Sequence, residues 1–262
     1  MSAIEPSRAW KQYEIRRWLK KTVERGIFGA YRLMASHSVD TAKHSVTISE
    51  CTYSPWKCDE GFKADYERVR RSTLVDQCKL YELWRFAQEL GELKGDVLEV
   101  GAWRGGSGCL IGLSLQKQGS TSKVFLCDTF EGMPETSGKE DNFYRGGELA
   151  DTSFEHVKLL ASSLELVNVE VLKGLFPRDT AAGIEERTFK FVHVDVDIYS
   201  SAKETVEWVW DRLVPGGVIV FDDYGYSATE GVTQFVDQFV RNNPRCFFMF
   251  NQCGHGVLIK RS

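Results

Sequence analysis

From Asp96 to the end, short β-branched runs alternate with amphipathic stretches, and this alternation constrains the fold more than any other feature of the chain. "DVLEVG" is followed by "SGCLIGLSLQKQ", "KVFLCD" by a polar loop and "SFEHVKLLASSL", and "VEVLKG" by "FPRDTAAGIEE". "KFVHVDVD" leads into "SAKETVEWVWDRL" and "GVIVFDD" into "EGVTQFVDQFVRN", and the runs "CFFMFN" and "HGVLIK" close the chain. Such alternation predicts an α/β fold on a mostly parallel, doubly wound sheet with helices on both faces. Ligands of these sheets sit beyond the carboxyl ends of the strands. Glu99, Asp128, Asp195, Asp197, Asp222 and Asp223 all fall at or near such ends, so the same pattern predicts where chemistry is placed.

Upstream the texture differs, which suggests a helical region over 1–94 and a core over 95–262. "RAWKQYEIRRWLKKTVERGIFGAYRLM" sets Trp10, Tyr13, Trp18, Val23 and Ile27 among many Lys and Arg. It reads as a helix packing its aromatic side on the body or on a second subunit, hence a homodimer or larger homo-oligomer. The other open reading is a basic amphipathic helix at a membrane surface or an acidic substrate. Residues 41–62 have no helical period and contain Ser-Pro, so a loop is expected; "LVDQCKLYELWRFAQELGEL" reads as a helix. The Gly- and charge-rich stretch 131–150 suggests a lid loop.

The net charge of −4 argues against duplex nucleic acid as the main partner. No run approaches the roughly 20 apolar residues that span a bilayer, and the N-terminal stretch has no apolar core of a signal peptide. The seven cysteines form no C-x-x-C pair and several lie in apolar runs, which suits reduced thiols in a cytoplasmic protein.

In "VLEVGAWRGGSG", Gly101, Gly105, Gly106 and Gly108 let the backbone turn sharply from strand to helix and approach a ligand. The spacing E-x-G-x-x-x-G is not that of a pyrophosphate-binding turn. Ser107 lies near the helix start, where free N–H groups favour an anion such as a carboxylate. Asp128, ending "KVFLCD", is placed to accept both hydroxyls of a ribose; alternatively it caps the following turn. Together these suggest an adenosine compound with an amino-acid end and no diphosphate, a description that S-adenosylmethionine fits.

The stretch "VHVDVDIYSS" is expected to place His193, Asp195 and Asp197 on one strand face. The neighbouring "GVIVFDD" would deliver Asp222 and Asp223 to the same edge. Four converging carboxylates repel unless a cation compensates them, and hard oxygen donors suit Mg²⁺ or Mn²⁺. A single Asp there could merely cap a helix; both pairs at once point to the cation.

These stretches resemble the macrocin O-methyltransferase family (noviose 4-O-methyltransferase-like). The likeness rests on "LEVGAWRGGSG", "DTFEGMP", "VHVDVDIYSSAKETVEWVWDRLVPGGVIVFDDYG" and, upstream, "SPWKCDEGF" and "RVRRSTLVD", over roughly residues 53 to 260. The resemblance implies a class I methyltransferase fold (Rossmann-like, seven-stranded) that uses S-adenosylmethionine and Mg²⁺. It implies Asp195, Asp222 and Asp223 as metal ligands, with Asp195 and Asp197 catalytic and Asp197 the general base. Glu99, Gly101, Trp103, Ser107, Asp128 and Thr129 would line the cofactor pocket, with Thr73 and Phe176 as additions. His255 departs from the family pattern, and the first fifty residues look unlike its common core.

The expected reaction is transfer of the sulfonium methyl to a hydroxyl of a sugar on a natural product or surface glycan; a catechol or phenol acceptor is the alternative. His193 is the alternative base. Trp10, Trp18, Trp56 and Tyr144 are candidates to stack on sugar rings. The rival readings are a glycosyltransferase, since "DVD" also fits a D-x-D motif binding Mn²⁺ and a sugar nucleotide, and a scaffold without chemistry.

Overall fold

The computed structural model describes residues 8–35, 37–49, 51–136, 138–141 and 143–262, with side chains described from residue 12 onward. The chain forms two compact units, Met1–Tyr53 and Ser54–Ser262. In the first, helix α1 spans Arg8–Met34. Tyr13, Trp18, Val23 and Ile27 are exposed on it, and Glu24 accepts the Ile48 amide at 2.7 Å. The side chain of Trp10, expected on the aromatic face, lies outside the described residues.

In the second unit α2 (Glu60–Val69) and α3 (Gln77–Glu89) precede the sheet. The sequence reading groups them with the N-terminal region up to residue 94. In the structure they share a core with the sheet: Phe62, Leu80, Leu83 and Trp84 pack in one buried cluster with Val97, Leu126 and Phe191. Helix α2 begins inside the stretch read as a loop, where the Asp59 side chain accepts the Phe62 amide at 3.0 Å and caps it.

The sheet contains β1 (Asp96–Val100), β2 (Val124–Asp128), β3 (Val169–Lys173), β4 (Phe189–Val194), β5 (Leu213–Phe221), β6 (Cys246–Phe250) and β7 (Gly256–Lys260). Its order is β3-β2-β1-β4-β5-β7-β6. The first five strands run parallel; β7 is antiparallel to β5 and β6. Helices α4 (Gly106–Lys117), α5 (Phe154–Ser163), α6 (Tyr199–Val209) and α7 (Glu230–Asn242) complete the doubly wound arrangement. Two apolar cores cover the sheet, one with α3 and α4, the other with α6 and α7. This is the α/β architecture the alternation predicts.

One expected helix is missing. "FPRDTAAGIEE" forms only a 3-10 turn over Ala181–Ile184; Pro177 lacks an N–H and Gly183 is a poor helix former, so the segment cannot propagate. Strand β4 also stops at Val194, before the two aspartates.

Candidate active site

The turn after β1 is shaped by close approach. Gly101 has φ 93°, and a Cβ there would lie 1.6 Å from the Asp195 carbonyl oxygen, so no other residue fits. Trp103 is held at φ 45°, and its amide donates to Asp128 Oδ2 at 2.8 Å. Asp128 Oδ1 accepts the Phe130 amide at 2.7 Å. Asp128 thus closes its own turn and ties β2 to the β1 turn, and its carboxylate keeps acceptor capacity for a ligand. Burial pushes its carboxyl above the ordinary range.

A cavity opens at these strand ends. It is lined by Thr73, Gly101, Trp103, Ser107, Asp128, Thr129 and Phe176, together with Asp195, Asp197, Asp222 and Asp223. The loop expected to be a lid contributes Gly132, Met133, Pro134, Tyr144 and Leu149. Of the expected cofactor residues only Glu99 lies away from the cavity. It is fully buried, and its Oε1 lies 2.9 Å from His193 Nδ1 across the β1–β4 pair.

The expected alternation of His193, Asp195 and Asp197 on one strand face ends where β4 ends. Asp197 sits at φ 62°, outside the pleat, because its amide and that of Val196 turn in to Asp223 Oδ2, at 2.8 and 3.1 Å. This curl gathers carboxylates. Asp195, Asp197 and Asp223 offer oxygens all within 4.8 Å of one another. Burial, then repulsion from neighbouring carboxylates, holds Asp195 and Asp223 well above the usual carboxylate range. Asp197 is pushed up to about 6, first by burial. The Tyr144 phenol faces Asp197 and is itself raised by burial and by that charge. The group is short of positive charge, and its all-oxygen donor set is of the kind a hard divalent ion takes.

Asp222 belongs to a different constellation. Lys79 of α3, itself buried, donates to Asp222 Oδ2 at 2.8 Å and to its carbonyl at 2.6 Å. His255 Nε2 lies 3.1 Å from Asp222 Oδ1. Burial alone would raise the Asp222 carboxyl, but His193, His255 and Lys79 outweigh it and hold it well below the ordinary range. Asp222 lines the cavity, yet the geometry groups Asp197 rather than Asp222 with Asp195 and Asp223. Lys79 and Glu82 are partners that the sequence reading did not single out, since they reach the site only through the packing of α3.

Of the aromatic candidates, Tyr144 reaches the cavity. Trp56 instead packs against the core beside Tyr81, with ring centroids 6.5 Å apart, and Trp18 is exposed on α1.

The macrocin-O-methyltransferase (TylF) family matches residues 65–245. A tetracenomycin rhamnosyl 4'-O-methyltransferase of Streptomyces olivaceus is 34% identical over 147 residues, 51% of this chain and 54% of that protein. Mycinamicin III 3''-O-methyltransferase of Micromonospora griseorubida is 30% identical over 157 residues, 55% of this chain and 61% of that protein. The chain therefore spans little more than half the length of the curated relatives it matches. Among solved structures, the O-methyltransferase NovP superposes with a TM-score of 0.62 at 21% identity, covering 73% of this chain and 82% of NovP. The calicheamicin methyltransferase CalS11 gives 0.60 at 12%, covering 81% and 99%. At those identities the likeness shows the fold, that of class I methyltransferases.

Proposed function

The chain belongs to the macrocin-O-methyltransferase family, and from that premise we propose that it transfers the methyl group of S-adenosylmethionine to a hydroxyl of a sugar on a natural product or glycan. The observation that carries this reading is the cavity itself. It joins the β1 turn and Asp128, which suit the amino-acid and ribose ends of the donor, to a carboxylate group suited to an acceptor hydroxyl. A diphosphate-binding turn, which a sugar-nucleotide reading calls for, has no counterpart in the sequence around Gly101.

The residues fit a divalent ion of the Mg²⁺ type. Asp195 and Asp223 would hold it, since their carboxylates converge within 4.8 Å in an all-oxygen donor set. When bound, such an ion lowers the pKa of the acceptor hydroxyl and fixes its direction. Asp222, the third ligand that the resemblance implies, lines the same cavity and also holds the Lys79 and His255 contacts.

Asp197 is the general base in this reading. The acceptor oxygen forms a bond to the methyl carbon as the carbon–sulfur bond breaks; S-adenosylhomocysteine leaves, and Asp197 takes the hydroxyl proton. A carboxylate pushed up to about 6 by burial suits that task near neutral pH. Aligning donor and acceptor in one cavity removes up to roughly 7–11 kcal/mol of the barrier in ideal cases. Tyr144 and Leu149 line the cavity and would flank the acceptor, limiting its access to water.

The test is a labelled-methyl assay with S-adenosylmethionine against a panel of sugars and phenols, with and without Mg²⁺. Methylation of a sugar hydroxyl supports the proposal. Binding of a nucleotide sugar in place of S-adenosylmethionine, with no methyl transferred, overturns it.

A further inference from the structure

A bulky residue in a left-handed turn is rare, because its side chain crowds its own backbone, and it persists only where neighbours enforce it. Trp103, at φ 45°, is such a residue. Each of its polar groups is held. The amide donates to Asp128 Oδ2 at 2.8 Å, the carbonyl accepts the Thr152 hydroxyl, and the indole N–H donates to Asp151 Oδ1 at 2.8 Å. The Arg104 guanidinium lies over the Trp103 ring, 4.4 Å from its centroid, and donates to Asp151 Oδ2 at 2.6 Å and to the Asp151 carbonyl at 3.0 Å. The indole N–H above all, then the Arg104 charge, holds the Asp151 carboxyl below the ordinary range, so it stands ready as an acceptor.

The two sides of this clamp belong to different parts of the chain. Trp103 lines the cavity beside Gly101, Asp128 and Thr129. Asp151 and Thr152 follow directly on the loop over 131–150 and precede α5, which Ser153 caps by accepting the His156 amide at 3.1 Å. That end of α5 is pressed onto the glycine turn: a Cβ on Gly105 would lie 2.5 Å from Val157 Cγ1. The loop folds back on itself, the Met133 amide donating to the Glu148 carbonyl at 2.9 Å and the Gly147 amide to the Met133 carbonyl at 2.8 Å. Asp151 therefore fastens the foot of the loop to the β1 turn.

We propose that Asp151 is a positioning residue for the methyl donor: by holding the Trp103 indole it keeps the strained β1 turn in the shape that aims the Trp103 amide at Asp128. This rests on the donor site read above, and Asp151 itself lies outside the cavity lining. The wall is then formed before the donor arrives. Released from Asp151, Trp103 relaxes out of the left-handed region, and the donor has to restore the turn as it binds, which weakens affinity. The Arg104–Asp151 ion pair is solvated, its side chains 33% and 63% exposed, so it adds little by itself and the indole contact carries the effect. Because Asp151 also ends the loop, donor binding and loop order are linked, and the linkage is reciprocal.

The test measures S-adenosylmethionine affinity of the full chain by isothermal titration, with circular dichroism to check each fold. Asp151→Ala should weaken binding by about 10-fold, the factor that release of one strained turn residue implies. Asp151→Asn, which keeps an oxygen for the indole N–H, should recover most of that loss. In a Trp103→Phe background no N–H remains to be held, so adding Asp151→Ala should change affinity by less than about 3-fold. Unchanged affinity in Asp151→Ala overturns the proposal, as does an equal loss with and without the indole N–H. If Trp103→Phe does not fold, Asp151→Asn decides: recovery supports the role and no recovery overturns it. A wild type that binds no S-adenosylmethionine contradicts the methyl-transfer reading instead. Limited proteolysis of the unliganded chain then decides the fastening: faster cleavage within 131–150 in Asp151→Ala supports it, and equal cleavage overturns it.

Discussion

Glu99 and His193 face each other as register partners on adjacent parallel strands, their side chains 2.9 Å apart and fully buried. The acidic residue of the glycine turn thus works inside the sheet, not on the cavity wall. Neutralising one partner of a buried pair is costly, because the other charge is left uncompensated. Glu99→Gln is expected to lower stability by roughly 3 kcal/mol in denaturant unfolding, while calorimetry shows S-adenosylmethionine affinity within a few-fold of wild type. Lost cofactor affinity with unchanged stability would instead place Glu99 on the ligand.

Asp128 is expected to act on the cofactor. Its oxygens already hold the amides of Trp103 and Phe130, and in the proposed reading their remaining acceptor capacity takes ribose hydroxyls. A hydrogen bond to a charged group contributes roughly 1.5–3 kcal/mol, so Asp128→Asn should weaken S-adenosylmethionine binding about 10–100-fold and leave kcat at saturation nearly unchanged. Isothermal titration checks the first part and steady-state kinetics the second.

The loop over 131–150 is anchored by Asp141, a buried carboxylate whose Oδ1 accepts the Tyr199 amide at 3.0 Å. Helix α6 has no side-chain cap of its own at Ile198, so Asp141 supplies that cap from a distant segment. Asp141→Ala should cost about 1 kcal/mol and quicken proteolysis within the loop. The acceptor KM should rise more than the cofactor KM, because Tyr144 and Leu149 depend on the same loop. Equal protease resistance in wild type and variant would argue against the anchor.

The general base is tested by Asp197→Asn, which keeps the shape and removes the proton acceptor. Turnover should fall by about 10²–10⁴-fold, with S-adenosylmethionine affinity retained. Near-normal turnover would move the role elsewhere, and His193 would then be the alternative.

Much of this architecture could be read in the sequence because its causes are local. β-branched runs bounded by glycines mark the strands, and carboxylates at their ends mark the site edge, as Asp128, Asp195 and Asp223 illustrate. What escaped depends on contacts between residues far apart in the chain. Lys79 meets Asp222 across 143 positions and Glu82 meets His255 across 173, and no short-range pattern encodes either pairing. The curl at Asp197 was hidden for a related reason: alternation predicts a strand there, but Asp223 captures two amides and turns the backbone out of the pleat. His255 drew notice in the sequence only as a departure from a resemblance, and its partners became visible once β7 lay beside β5.

The most direct measurement is methyl transfer by chelator-treated protein as Mg²⁺ is restored, run beside Asp223→Asn. If Asp195 and Asp223 hold an ion that activates the acceptor hydroxyl, stripped wild type loses turnover by about 100-fold or more and regains it in a saturable manner, whereas Asp223→Asn does not recover. Turnover that is equal with and without the ion, or full recovery of Asp223→Asn, would contradict the account.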